Sequence, residues 1–202
     1  LDSDLSALQS FLGTKLNYAT GPYTGYSNVV PSTRSLYKLD WNVNESNKFS
    51  IRYSELKSSA DNLISNSSSL GFGGRRTNTT SMSFQNSGYL QLESIKSIAG
   101  ELNSRLANNV SNNLIVGYTK NNEDRGYKGA VYPTVDILSG GSTYMAFGMD
   151  PFTPANQLSY KTFQVQDNLT LYTDRQDFTF GVTYEKYNSN NGFSPGLQSA
   201  YV

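Results

Sequence analysis

From Tyr37 onward, hydrophobic and polar positions alternate with a period of two, the signature of strands with one apolar face. Tyr37, Leu39, Trp41 and Val43 alternate with Lys38, Asp40 and Asn42; after the polar turn Asn44 to Asn47, the pattern resumes as Phe49, Ile51 and Tyr53. A weaker copy places Ile98, Gly100 and Leu102 before a turn within 107–112, and Leu114, Val116 and Tyr118 after it. The third copy sets Phe163, Val165, Leu169 and Leu171 before the turn Thr173 to Gln176, and Phe178, Phe180, Val182 and Tyr184 after it. Only Asp167 interrupts its apolar side. These are three predicted antiparallel hairpins, at 35–54, 94–120 and 160–187.

Ahead of them, residues 1–34 read as a loop with one short helix. Leu5, Leu8, Leu12 and Leu16 recur at helical spacing behind Asp2, Ser3 and Asp4 as N-cap candidates, and Gly13 or Asn17 supplies a stop. The hairpin turns fall near residues 45, 109 and 174, joined by predicted long loops at 55–93 and 121–159. Short turns on one side and long loops on the other describe an up-and-down barrel wall of the outer-membrane type. A sandwich would turn every 8–12 residues at both ends. The fold class expected is therefore all-β: a partial outer-membrane β-barrel wall with one short N-terminal helix. Its lipid-facing residues would be Tyr37, Leu39, Trp41, Val43, Phe49, Ile51, Phe163, Val165, Leu169, Leu171, Phe178, Phe180 and Val182. Tyr53, Tyr118, Tyr172, Tyr184 and Tyr187 stand near strand ends, where an interfacial girdle or ordinary strand preference would put them.

Composition narrows the function. Fifteen Tyr and ten Phe, with hydrophobic residues at only 37%, fit many half-buried strands and not a disordered chain. Sixteen basic residues balance sixteen acidic ones, with no basic run beyond Arg75-Arg76, so nucleic acid is not an expected partner. The absence of Cys and His removes disulfides, thiolate chemistry, Cys/His metal sites and Ser-His-Asp catalysis. Paired carboxylates remain the only acid/base option, and Glu101 and Glu185, like Lys38 and Asp40, sit where lumen-lining charge accounts for them. Catalytic, cofactor and metal sites are expected to be none. Asn121-Asn122-Glu123-Asp124 gathers oxygen ligands without the spacing of a calcium loop and reads as a solvated loop. Gly71 to Arg76 reads as a loop tip, with Arg75 and Arg76 as candidate ligand contacts. The Asn-x-Ser/Thr triplets arise by chance in so Asn-rich a chain.

The stretch LYKLDWNVNESNKFSIRYSELKS resembles a hairpin of Oar-like TonB-dependent receptors of Bacteroidetes: an aromatic-basic-Leu-Asp-Trp-Asn strand, a short polar turn, and a Phe-x-Ile-Arg-Tyr return. FGMDPFTPANQLSYKTFQVQDNLTLYTDRQDFTFGVTYEKYNSNNGF resembles a later segment of the same family, and DLSALQSFLGTKLNYATGPYTGYS its preceding loop helix. The middle hairpin matches least. The resemblance implies an outer-membrane receptor of about 22 strands with a plugged lumen, which binds and imports a nutrient and draws energy through TonB. It names no substrate. The plug domain, the TonB box and a signal peptide would lie upstream, since LDSDLSALQS has neither a charged n-region nor an apolar h-region. Expected partners are outer-membrane lipid, the remainder of the receptor and an unidentified ligand. An isolated piece would expose two strand edges and an apolar face, and is expected to self-associate unless the helix or loops cover that face. A soluble all-β binding or adhesion module with sugar-stacking aromatics is the alternative; it would bury Trp41, Phe178 and Phe180 in a closed core.

Overall fold

The computed structural model describes residues 1–66 and 79–201. Its largest element is an antiparallel meander of six strands: β1 (Ser32–Asn44), β2 (Asn47–Asn62), β4 (Tyr89–Ala107), β5 (Val110–Tyr127), β8 (Gln157–Tyr172) and β9 (Asp177–Gly192), hydrogen-bonded in that order. The three predicted turns fall between β1 and β2, β4 and β5, and β8 and β9. Local chemistry closes two of them. Asn44 Oδ1 accepts from the Ser46 backbone N–H (2.9 Å) and the Asn47 amide (3.0 Å); Thr173 Oγ1 accepts from the Gln176 N–H (3.1 Å). Such side chains fix a turn by replacing backbone partners.

The strands outrun the predicted hairpins. The first continues from 54 to Asn62, the second spans 89–127 and the third spans 157–192. Alternation stops at the predicted limits because the outward face itself turns polar there, as at Glu55, Lys57, Lys96, Lys120 and Lys161. A strand wetted on both faces keeps its hydrogen-bond ladder without showing any hydrophobic period. At about 3.4 Å per residue, the 19-residue β4 reaches roughly 60 Å.

The predicted long loops are correspondingly shorter and are not structureless. Between the long strands lie β3 (Met82–Ser83), a 3-10 turn (Gln85–Ser87), β6 (Thr134–Ser139) and β7 (Ser142–Phe147), and β10 (Ala200–Tyr201) follows β9. They form a second sheet in the order β10-β6-β7-β3, in which β10 on β6 and β3 on β7 are parallel pairs. Gly148, directly after β7, has φ +86, and a Cβ there would lie 1.9 Å from the Pro133 carbonyl oxygen. Only glycine fits that approach.

Helix α1 (Asp2–Leu16) covers this second sheet. It places Asp2 and Asp4 in its first turn, where they complement the helix dipole, and no side chain caps it, contrary to the N-cap roles expected of Asp2, Ser3 and Asp4. Asn17, in the left-handed region (φ 51, ψ 35), ends it. Leu5 and Leu12 are fully buried with Tyr18, Phe84, Met145 and Phe147, and Leu8 packs beside them. Leu16, expected on the same stripe, remains 48% exposed. The helix thus gives its apolar face to the loops and not to the large sheet.

Truncating Leu12 to Ala in the full-length protein should remove about 2–5 kcal/mol of stability from this loop cap. Hydrogen exchange should quicken in α1, β6 and β7 while the six-stranded ladder keeps its protection.

Candidate binding face and loop cap

Register decides what each face of the meander presents. The cross-strand pairs Tyr37/Tyr53, Leu39/Ile51 and Trp41/Phe49 continue through Ile98, Gly100 and Leu102, then Tyr118, Val116 and Leu114, then Phe163, Val165 and Asp167. Beyond these, Leu169 meets Phe180 and Leu171 meets Phe178. Every residue of the expected outward list except Val43, which falls at the register shift between Asn42 and Asn44, shares this one face. It is uncovered: Leu39, Trp41, Phe180 and Val182 are 66%, 60%, 65% and 66% exposed. Asp167 also lies on it, and the Asn112 amide from the neighbouring strand donates to its carboxylate at 2.7 Å. Of the tyrosines noted at strand ends, Tyr53, Tyr118 and Tyr184 are on the apolar face, whereas Tyr172 and Tyr187 fall on the opposite one by parity. The ring of Tyr187 lies 5.6 Å from that of Tyr160 on that polar side.

The opposite face is a polar wall. One row across it reads Asn42, Lys48, Asn103, Asn113 and Asn168, and the next Asp40, Ser50, Glu101, Ile115, Gln166 and Thr183. Asn103 and Asn113 both donate to Glu101 Oε1, at 3.0 and 2.8 Å, and Lys38 pairs with Asp40 at 2.9 Å. These bonds engage Glu101, Lys38 and Asp40, while Glu185 lies on β9, three strands away from Glu101, so the two carboxylates are not brought face to face. The Asn121 to Asp124 run lies within β5, so Asn121 and Glu123 point to the polar wall and Asn122 and Asp124 away from it. Alternation therefore splits the four oxygen ligands between two faces. No cluster of acidic residues able to hold a metal occurs among the described residues.

Toward the loop end, this wall meets the cap in a cavity of about 310 Å³ lined by Tyr89, Glu123, Arg125, Thr153, Asn156 and Phe193 among others. Arg125 pairs with Glu123, whose carboxylate also accepts from the Gln91 amide at 3.3 Å. A half-buried guanidinium, a carboxylate, three amides and two aromatic rings converge on one concave surface, as in sites that orient a polar ligand. The neighbouring segment is held by Asp150. Its Oδ1 accepts from the backbone N–H groups of Phe152 (2.9 Å) and Thr153 (2.7 Å), and its Oδ2 from that of Ser65 (2.5 Å). Asp150 was not singled out in the sequence, although Asp-Pro-Phe-Thr is an aspartate-led turn pattern that could have flagged it. The candidates Arg75 and Arg76 lie outside the described residues.

The family described as outer membrane beta barrel domain matches residues 7–200. The chain belongs to this family. It is an outer-membrane β-barrel segment of a bacterial cell, mostly antiparallel sheet with one short helix. No curated protein matches it.

The cap also carries a titration signature. Burial in the core beneath α1 pushes the Tyr18 phenol up to about 12, above its ordinary value near 10. The unfolded cap then loses this proton before the folded cap does. Tyr18 stabilises the cap fully below about pH 10, and that contribution is lost as pH rises toward 12. Tyr18→Phe in the full-length protein should remove this alkaline step, seen as a smaller rise in protease cleavage of residues 128–156 between pH 10 and 12 than in the parent protein.

Proposed function

We propose that this barrel segment is part of a TonB-dependent outer-membrane receptor that binds a nutrient ligand and imports it. The observation that carries the reading is the division of one six-stranded sheet into an exposed apolar face and a hydrogen-bonded polar face, with the loops at one end folded into a cap over a concave polar cavity. Support comes as well from the resemblance of the first and last hairpins to Oar-like receptors of Bacteroidetes.

In this reading the apolar face meets lipid. From the Phe163 level to the Leu171 level it spans about 27 Å along the strand, or roughly 20 Å across the bilayer at a tilt near 40°. That is comparable with the apolar band of about 25 Å found on such barrels. The polar wall lines the lumen and faces a plug domain supplied by the rest of the receptor. The outer edges of β1 and β9 have no strand partner among the described residues. Unpaired backbone is costly in hydrocarbon, so further strands must flank both edges in the membrane. An isolated copy of this segment would associate with others through the same edges and apolar face. The cavity at Glu123 and Arg125 is the ligand-facing part, and catalysis has no place in the proposal.

The rival reading, a soluble surface module, requires Trp41, Phe178 and Phe180 in a closed core. Their exposures of 60%, 44% and 65% argue against it.

Two measurements on the full-length protein test the reading. Leu39→Lys or Phe180→Lys should each cost roughly 2–4 kcal/mol of stability in lipid, while Thr183→Lys on the polar face should cost little. Equal, near-zero losses at all three positions would remove the lipid-facing assignment. Separately, the double variant Glu123→Gln/Arg125→Gln should leave the barrel folded and at its usual abundance but lower ligand accumulation at least several-fold, and an uncoupler should abolish what remains in both proteins. Accumulation that persists without a proton-motive force would rule out TonB-driven import.

A further inference from the structure

Immediately on the loop side of the apolar band, the same outward face carries a row of lysines in direct cross-strand register. Lys96 of β4 pairs with Lys120 of β5, and Lys120 pairs with Lys161 of β8. Each lies two residues along its strand from a member of the row Ile98, Tyr118 and Phe163 that forms the upper rim of the band. All three side chains are exposed. Like charges directly opposite one another on a sheet destabilise it, and here two such pairs share their middle member.

The chain neutralises only one end of this row. Glu55, opposite Lys96, reaches it at 3.7 Å, but Lys57 holds the same carboxylate more closely at 3.1 Å. No carboxylate pairs with Lys120 or Lys161 among the described residues, and the far neighbour of Lys161 is Asn188. The nearest outward acid on β5, Asp124, lies four residues along the strand from Lys120. With neighbouring strands about 4.8 Å apart, the three ammonium groups form a band roughly 10 Å wide. A local rule broken this openly calls for a compensating group outside the chain.

We propose that Lys96, Lys120 and Lys161 form a binding site for the anionic phosphate headgroups of lipids in the outer leaflet. This rests on the reading of the apolar face as lipid-facing. The long-loop side of such barrels is the extracellular side, so the row stands at headgroup depth, one step beyond Tyr37, Tyr53 and Tyr118 at the interface. Acyl chains would pack on Val116, Tyr118, Phe163 and Val165 below it, and the phosphates would screen the lysine repulsion above. Charge and position both select a lipid, since a freely diffusing anion would gain nothing from the apolar band.

The test uses the full-length protein reconstituted in bilayers of phosphatidylcholine alone, or of equal parts phosphatidylcholine and phosphatidylglycerol. Insertion into the neutral bilayer checks the lipid-facing reading by itself: a protein that fails to insert there fails on that count and not on the lysines. Given insertion, the parent protein should unfold at a higher temperature in the anionic bilayer than in the neutral one. It should also retain anionic lipid through detergent extraction. Lys120→Gln/Lys161→Gln should lose that temperature difference and retain roughly tenfold less anionic lipid. In the neutral bilayer it should be at least as stable as the parent, because the repulsion is relieved. Lys120→Arg/Lys161→Arg should keep the parent behaviour. Parent and Gln variant responding alike to the two bilayers would overturn the proposal. So would inorganic phosphate producing the whole shift in the neutral bilayer, which would make the site one for a free anion.

Discussion

Everything in this chain hangs on the register of one antiparallel ladder. A strand crossing hydrocarbon must hand every backbone N–H and C=O to a neighbouring strand, because no water is present to accept or donate. Once that ladder forms, a period of two assigns each side chain to lipid or to the interior, and a slip of one residue would exchange the faces completely. The pairs Leu39/Ile51, Val116/Val165 and Leu169/Phe180 all keep the same parity across the sheet. Two of the hairpin turns are locked by their own Asn44 and Thr173 side chains, so the register is set within a few residues of chain before distant strands meet.

The second consequence is a division of hydrophobic effort. An ordinary soluble domain would spend Trp41, Phe178 and Phe180 on its own core, and this chain leaves them outside. The only buried apolar cluster, among the described residues, belongs to the cap, where Leu5, Leu12, Tyr18, Phe84, Met145 and Phe147 meet. Three segments far apart in sequence supply it. Because each is too short to bury an apolar face alone, they fold together or not at all, and Asp150 adds a polar tie from the 150s to Ser65. The cap can therefore loosen or change without disturbing the ladder beneath it.

Between cap and membrane, the strands run on with both faces polar. This zone places Glu123 and Arg125 toward the interior and Lys96, Lys120 and Lys161 toward the outside, on the same few residues of strand. Alternation lets one length of β-strand carry two unrelated polar surfaces, one on each face of the sheet. The same alternation prevents Asn121 to Asp124 from acting as a single calcium loop.

The sequence by itself determined the three hairpins, their turns and the common sheet face of the apolar residues that alternate within them, because these depend on neighbours two to ten residues away and on turn side chains that act locally. It also supplied the helix, from the spacing of Leu5, Leu8 and Leu12. The extensions of β2, β4, β5 and β8 beyond the apolar band and the parallel pairings of β3 with β7 and β6 with β10 were decided only in the tertiary structure. The reason is the same in each case. Where both faces of a strand are wet the hydrophobic period vanishes, and where a two-residue strand pairs with a partner more than 60 residues away, nothing in its own few residues records which partner will complete its hydrogen bonds.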